Sequence, residues 1–472
     1  MARTELGEPP LAEPTPSPPA TGSRAPGRGE RLVRRTTLGI AILSAAAAFG
    51  ADVVLDGEPG FGAAQWCVLA LAIAAASVTL LPVRFAKRFL LLLFTLALAG
   101  GAAEGAMRLL FGEWFSSLFE FHPRYIYTLR PHARTRQMLA PVNGGKSVVT
   151  EINSAGYRGP ELRAKSPCRV AVYGDSYILA AFTDFDETFG ARLERKLSEA
   201  VPGVEVVNAG IIGYGPDQLS LKMEDELPRL RPDLVVLSLC PNDFGDLLRN
   251  KLFRLDDAGG LLPNAPHISE ALKREFRGAS SDLFLAKAIS KFRRRFATHA
   301  TPSVEDDLAR CRREYESYVV EGNNDVADAF QDHDDSDFRA APDGAGARYK
   351  RMLMAGVLRR IRETCAKQGI PVVVLLIPAA LDACETFDGR SVDVAKYPAY
   401  RRSAITDAMA EAAAAADLPV VNLFPVFRTG DAGRLFLHES DDHWNAAGQD
   451  VAAEQVARYL REKGLLTARS GR

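Results

Sequence analysis

The chain is poor in the features that would assign it to several common classes. Only six cysteines occur in 472 residues, and no two stand in a Cys-x-x-Cys spacing. That excludes the usual zinc knuckles, and no metal or cofactor is expected. Cys67 sits in an apolar run, which leaves Cys168, Cys240, Cys311, Cys365 and Cys384. An odd number leaves at least one thiol unbridged unless chains pair, and spacing does not choose a bridge among Cys311, Cys365 and Cys384. Net charge is also missing: 58 Lys and Arg face 59 Asp and Glu, for a formal −1. Nothing here favours nucleic acid, which selects a basic face. Residues 1–30 are rich in Pro, Gly, Glu and Arg and nearly empty of large apolar side chains. They cannot offset chain entropy by burial and are expected to be a disordered tail. Residues 321–349 are acidic, and their Asp332-His333-Asp334-Asp335 run lacks the Gly and closing Glu of a calcium loop. A solvated acidic loop is the expectation there. No internal repeat is present.

Long apolar runs, by contrast, are concentrated in residues 31–111. Ala63–Pro82 carries no charge and is long enough to cross a bilayer. Residues 89–111 are apolar up to Glu104 and Arg108, four apart and placed to pair near one end. Residues 36–55 are weaker, being Ala-rich and interrupted by Asp52. Three spans are expected. Arg31, Arg34 and Arg35 precede the first, and Arg84, Lys87 and Arg88 separate the second from the third. By the positive-inside rule both basic segments are cytoplasmic, and everything after about residue 111 is outside. The apolar runs start too late for a cleaved signal peptide.

After a mixed connector at 112–165, short apolar runs alternate with helical patterns. Strands are expected at 170–173, 204–208, 234–239, 372–377 and 420–423. Helices are expected at 187–200, 217–226, 349–367, 400–415 and 445–463. Continuous Val, Leu and Ile runs mark strands covered on both faces, so the fold class is α/β with a parallel sheet. An insertion at 245–348 interrupts the rhythm between the third and fourth strands, and it sits where a lid or partner surface would form.

Four motifs fall at strand ends or at the entry of the last helix, which a parallel sheet gathers on one edge. They are Gly174-Asp175-Ser176-Tyr177, then Asn208 to Gly213, then Pro241-Asn242-Asp243, then Asp441-Asp442-His443-Trp444-Asn445. Acyl transfer needs these residue types. A serine is a weak nucleophile that needs a base, here Ser176 and His443. The imidazole needs an acceptor that fixes its tautomer, here Asp441 with Asp442 as fallback. A tetrahedral intermediate needs donors, here the backbone N–H groups of Ser176 and Gly213 and the amide of Asn242. Asp175 and Asp243 are supporting residues. Singly, each motif also reads as a turn, an Asx-turn or a helix cap; together, in order, they read as a site.

These blocks resemble the SGNH, or GDSL-like, hydrolases, named for the Ser, Gly, Asn and His found here as Ser176, Gly213, Asn242 and His443. The resemblance covers roughly residues 165–465. The phrases "INSAGYRGPE" and "DDHWNAAG" also resemble membrane-anchored members among bacterial envelope and exopolysaccharide proteins. The resemblance implies a flavodoxin-like α/β/α sandwich and a serine esterase or acyltransferase that uses no metal. Two departures stand out. Cys240 replaces the Gly of the usual Gly-x-Asn-Asp, and Ser440 stands where Asp-x-x-His would place its Asp. The Gly-x-Ser-x-Gly elbow of other hydrolases is absent, since Ile178 occupies its last position.

The expected protein is thus a multi-pass member of the bacterial inner membrane with an extracytoplasmic esterase domain. Its substrate is an O-acyl ester, and the resemblance implies an acylated polysaccharide. One alternative is an O-acetyltransferase that relies on a membrane partner, because three spans are too few to carry an acyl donor across. The other is an inactive glycan-binding or scaffold domain, which would separate serine and histidine well beyond ~3.2 Å.

Overall fold

The computed structural model describes residues 27–55, 63–276, 284, 304–326, 328, 329, 335–429, 431–439 and 443–466. Most of the Pro-rich tail, Asp332 to Asp334, and Asp441 and Asp442 therefore lie outside the described residues. The chain divides into two units, Met1–Ala102 and Ala103–Arg472.

The first unit is helical. Helices run over Arg28–Leu55 and Ala63–Leu80, and a third, Val83–Phe115, begins there. Arg28–Gly50 and Val83–Trp114 are long and apolar enough to cross a membrane. Composition makes Ala63–Pro82 the clearest span, yet its apolar stretch Gln65–Leu80 is shorter than the other two. Pro82, which cannot continue the helix hydrogen bonds, follows its end. Ala41 and Ala48 of the first helix and Ala72 and Ala75 of the second are buried, as small residues are where helices approach closely. Leu91, Leu92, Phe94, Leu96 and Leu98 of the third are exposed. Glu104 and Arg108 do pair, at 2.7 Å, one helical turn apart.

Among the described residues the second unit contains thirteen strands, in chain order. Two hairpins come first: β1 (Phe119–His122) with β2 (Ile126–Leu129), and β3 (Arg134–Met138) with β4 (Ser147–Glu151). A five-stranded parallel sheet follows, built from β5 (Arg169–Gly174), β6 (Glu205–Gly210), β7 (Leu234–Leu239), β12 (Val372–Leu376) and β13 (Val420–Asn422). Between β7 and β12 lie β8 (Phe253–Leu255), β9 (Leu261–Pro263), β10 (His267–Ile268) and β11 (Asp325–Val326).

The sheet order is β13-β12-β7-β5-β6, the flavodoxin-like order. Strand periodicity splits its apolar residues between two cores. Val170 and Val172 of β5, Leu234 and Val236 of β7, and Val373 and Leu375 of β12 pack with helices Phe189–Ser198 and Ala446–Glu462. Ala171, Tyr173, Val235, Leu237, Val374 and Leu376 point the other way, to helices Pro216–Leu230, Ala345–Ala366 and Ala404–Ala415. The first hairpin joins this second core through Ile126, Tyr127 and Leu129, and Ala133 and Ile152 at the ends of the second join it too, so the segment after the third helix is part of the domain's packing. No disulfide is present among the described residues.

The insertion differs from expectation where it is described. Asp335 is fully buried, not solvated: it accepts from Lys350 Nζ at 2.6 Å and from the Gly245 N–H at 3.0 Å. Lys350, equally buried, also lies 3.0 Å from Asp337. Cys311, Asp335 and Asp337 gather ligand-type atoms, but the cation beside them is the chain's own ammonium. Arg339 grips Asp382 with two hydrogen bonds, at 2.9 and 3.2 Å, and both are buried. The short run Ser336–Ala340 becomes a helix because these pairs compensate its burial.

Candidate active site

The site begins at the end of β5. A Cβ on Gly174 would lie 2.0 Å from Ser238 Oγ and 2.5 Å from Ile178 Cγ1, so only glycine lets the strand end pass β7 this closely. Asp175 then caps a single helical turn, Ser176–Leu179, by accepting from Tyr177 N at 3.0 Å. The local reading of Gly-Asp-Ser as turn and cap is correct, and it also presents a hydroxyl. Ser176 Oγ lies 3.2 Å from Asp175 Oδ2.

His443 enters from the loop before the last helix. Asn445 caps that helix by accepting from Ala447 N and Gly448 N, and its amide donates to the Arg434 and Phe436 carbonyls. The His443 carbonyl accepts from Leu437 N at 2.8 Å. Asn143, near the second hairpin, clamps the same loop through both polar atoms of the His438 backbone, at 2.6 and 2.9 Å. The His443 ring stacks on Tyr177, with centroids 4.6 Å apart. The result is an Nε2–Oγ separation of 2.6 Å between His443 and Ser176, within direct proton-transfer reach. Nδ1 of His443 is buried. Its expected acceptors, Asp441 and Asp442, lie outside the described residues.

Gly213 and Asn242 follow β6 and β7, the two neighbours of β5, so both leave the same sheet edge as Ser176. Gly213 has φ +72°, a left-handed conformation that favours glycine. Its loop is held by Arg249, which donates to the Gly213 carbonyl at 2.8 Å, and by Tyr127, which donates to the Ile212 carbonyl at 2.7 Å. The Asn242 amide donates to Asp246 Oδ2 at 3.0 Å, which leaves its second N–H for another acceptor. Asp243 accepts from Cys240 N at 2.8 Å and so closes the turn before its helix.

Cys240 was visible in the sequence only as a departure. In the structure its Sγ lies 3.0 Å from Asp175 Oδ2 and 3.1 Å from Asn242 Oδ1, between the capping acid and the oxyanion candidate. Burial, then the Asp175 and Asp243 carboxylates, push this thiol well above its ordinary value, so it is a donor here. Burial, then Asp175 and Asp246, push the Asp243 carboxyl well up too. Asp246, which anchors Asn242, had no sequence signal beyond its place one helical turn after a strand-end Asn.

Residues 172–451 match the family described as GDSL-like Lipase/Acylhydrolase. No curated protein matches. Similar solved structures include a lipase/acylhydrolase from Enterococcus faecalis, at 14% identity and TM-score 0.28, over 64% of this chain and 100% of that one. An acetyl xylan esterase is similar at 13% identity and TM-score 0.32, over 62% of this chain and 99% of that one. A two-domain esterase active on acetylated mannans is similar at 11% identity and TM-score 0.31, over 65% of this chain and 52% of that one, so this chain spans about half its length. The family match extends over more than half of the chain and takes in Ser176, Gly213, Asn242 and His443: the protein belongs to the GDSL-like lipase/acylhydrolase family.

Proposed function

We propose that this member of an ester-hydrolysing family is a membrane-anchored serine esterase, with its catalytic domain on the extracytoplasmic side of a bacterial cell membrane. The observation that carries the chemistry is the 2.6 Å contact between Ser176 Oγ and His443 Nε2. Ser176 Oγ attacks the acyl carbonyl carbon while its proton passes to Nε2. The carbonyl electron pair moves onto oxygen, which the N–H groups of Ser176, Gly213 and Asn242 receive. Collapse expels the alcohol, protonated by His443, and leaves an acyl-enzyme. Water then attacks the acyl carbon as His443 takes its proton; the Oγ–acyl bond breaks, His443 returns that proton to Ser176 Oγ, and the carboxylic acid leaves. Asp441 holds Nδ1–H of His443 throughout. The substrate is an O-acyl ester on an envelope or exported polysaccharide, as the resemblance to envelope members implies. Anchoring rests on the two long apolar helices, and the orientation on Arg84, Lys87 and Arg88.

An inactive scaffold would have no reason to keep serine and histidine in contact. Transfer to a sugar hydroxyl would use the same acyl-enzyme, so product analysis with and without an acceptor separates it from hydrolysis. Fluorophosphonate labelling of the purified chain tests the core of the reading. Labelling is expected in the wild type and lost in Ser176→Ala and His443→Ala; an unlabelled, folded wild type overturns it.

A further inference from the structure

The serine stands on a helix of one turn, Ser176–Leu179, ended by Ala180 in a left-handed conformation at φ 56°. One turn has almost no stability of its own. Its last carbonyls are unpaired by construction, and here the residues from Ser176 to Ala181 are all buried, away from water. Yet each carbonyl of the turn finds a donor. Ser176 O accepts from Ala180 N at 2.8 Å. Tyr177 O accepts from the Trp444 indole at 2.9 Å, and Ile178 O from the Asn208 amide at 2.7 Å. Leu179 O and Ala180 O both accept from Arg158 Nη1, the latter at 2.5 Å, and Thr183 O accepts from Nη2 at 2.6 Å. Three side chains from three distant parts of the sequence thus hold one turn by its backbone.

Arg158 is the costly one. It is 2% exposed and makes no ion pair among the described residues. A buried cation without a carboxylate in hydrogen-bond contact is expensive; carbonyls at a helix C-terminus are the compensation, with the charge of Asp184 adding to it. The chain also spends a motif on aiming it. In the "NSAGYR" run, Asn153 Oδ1 accepts from Ala155 N and Tyr157 N, both at 3.0 Å. Gly156 turns at φ +85°. The Arg158 N–H then bonds to the Asn208 carbonyl at 3.2 Å, beside the second donor. Gly210 completes the fit, because a Cβ there would lie 2.4 Å from Leu179 N. Trp444 ties the two partners together: it follows His443 in the chain, and Tyr177, whose carbonyl it holds, stacks on the His443 ring.

We propose that Arg158 is a positioning residue for the reaction: with Asn208 and Trp444 it holds the Ser176 turn by its carbonyls and so keeps the hydroxyl in register with His443. The assignment rests on Ser176 being the nucleophile, as proposed above. An ammonium cannot reproduce the guanidinium fork over three carbonyls, and small misplacements of reacting groups are costly in rate.

The test uses the full-length chain in detergent, with Arg158→Lys and the milder Trp444→Phe, which removes one donor and keeps a ring. Thermal unfolding establishes the folded fraction. The fluorophosphonate labelling rate and p-nitrophenyl acetate turnover are then measured per labelled serine. The expectation is about a tenfold fall in labelling rate and in kcat for Arg158→Lys, a few-fold fall for Trp444→Phe, and KM within about twofold in both. A role in stability alone lowers the melting temperature and the number of labelled molecules but leaves the rate per serine unchanged; that result overturns the proposal. If Arg158→Lys does not fold, an unchanged rate in Trp444→Phe overturns it. A wild type that never labels overturns both this proposal and the nucleophile, whereas a wild type that labels at the variants' rate overturns this one only.

Discussion

Lys350 and Arg158, two of the buried cations of the second unit, do opposite things. Lys350 sits between two carboxylates, Asp335 and Asp337, which raise its pKa against the burial that lowers it. Arg158 hydrogen-bonds to carbonyls; burial lowers its pKa to about 10 against the opposing charge of Asp184, so it stays charged at neutral pH. The lysine neutralises acids and thereby fastens the insertion to the helix Ala345–Ala366. The arginine forms no ion pair among the described residues and holds the backbone of the serine turn. An ion pair fixes two side chains; a guanidinium on carbonyls fixes main chain, which is what a reacting group needs beneath it. Asp217 is the acidic counterpart of Arg158. It is 1% exposed and makes no ion pair among the described residues; Asn250 Nδ2 and Gln218 N hydrogen-bond to its Oδ1.

That contrast can be broken at its strongest point first. Lys350→Met leaves Asp335 and Asp337 uncompensated and is expected to cost about 3–5 kcal/mol. Chemical denaturation measures it, and labelling per folded molecule stays at the wild-type rate. A stability loss below about 1 kcal/mol would remove the lysine from its role as fastener. Gly210→Ala comes next. The added methyl meets Leu179 N and Ile178 C, at 2.4 and 2.8 Å, so the serine turn must move. Roughly 1–3 kcal/mol of overpacking is expected, together with slower labelling. Stability loss without slower labelling would mean that the turn tolerates displacement.

Asp217 supplies a pH-dependent comparison. Burial raises its carboxyl from 3.8 to about 7. A raised folded-state value means the folded protein binds the proton more tightly than the unfolded chain. This contribution to stability is complete below about pH 4 and is lost as pH rises through about 7. Asp217→Asn removes it, on the order of a few kcal/mol at most. The variant is therefore expected to gain on the wild type in denaturant midpoint between pH 5 and pH 8; parallel curves would refute the shift. The smallest effect is expected from Cys240→Ala, which deletes the thiol donor between Asp175 and Asn242. About a two- to fivefold fall in kcat with unchanged KM is expected, in the range of one weak hydrogen bond. Recovery in Cys240→Ser would assign the effect to hydrogen bonding, and an unchanged kcat in Cys240→Ala would leave the thiol as packing.

The sheet was legible because its signals are local. β7 reads "LVVLSL" and β12 "VVVLL", runs that suit only a strand covered on both faces. Ser176, Gly213 and Asn242 were legible as candidates because they follow such runs, and strand ends of a parallel sheet share an edge. The insertion misled at Asp335, since an acidic run looks solvated until its partner, Lys350, is known fifteen residues on. "INSAGYRGPE" was legible as a resemblance but carried no visible task.

Composition and periodicity alone thus determined the apolar N-terminal helices, the α/β class, the sheet, and the order of serine, glycine, asparagine and histidine. Those properties depend on residues within a few positions of one another. Only the tertiary structure decided the 2.6 Å approach of His443 to Ser176 across 267 residues of chain. It likewise decided the place of Cys240 beside two polar partners, and Arg158 beneath the serine turn. Each of these is a contact between groups whose separation in sequence says nothing of their distance in space, and burial sets its strength by removing the competing water.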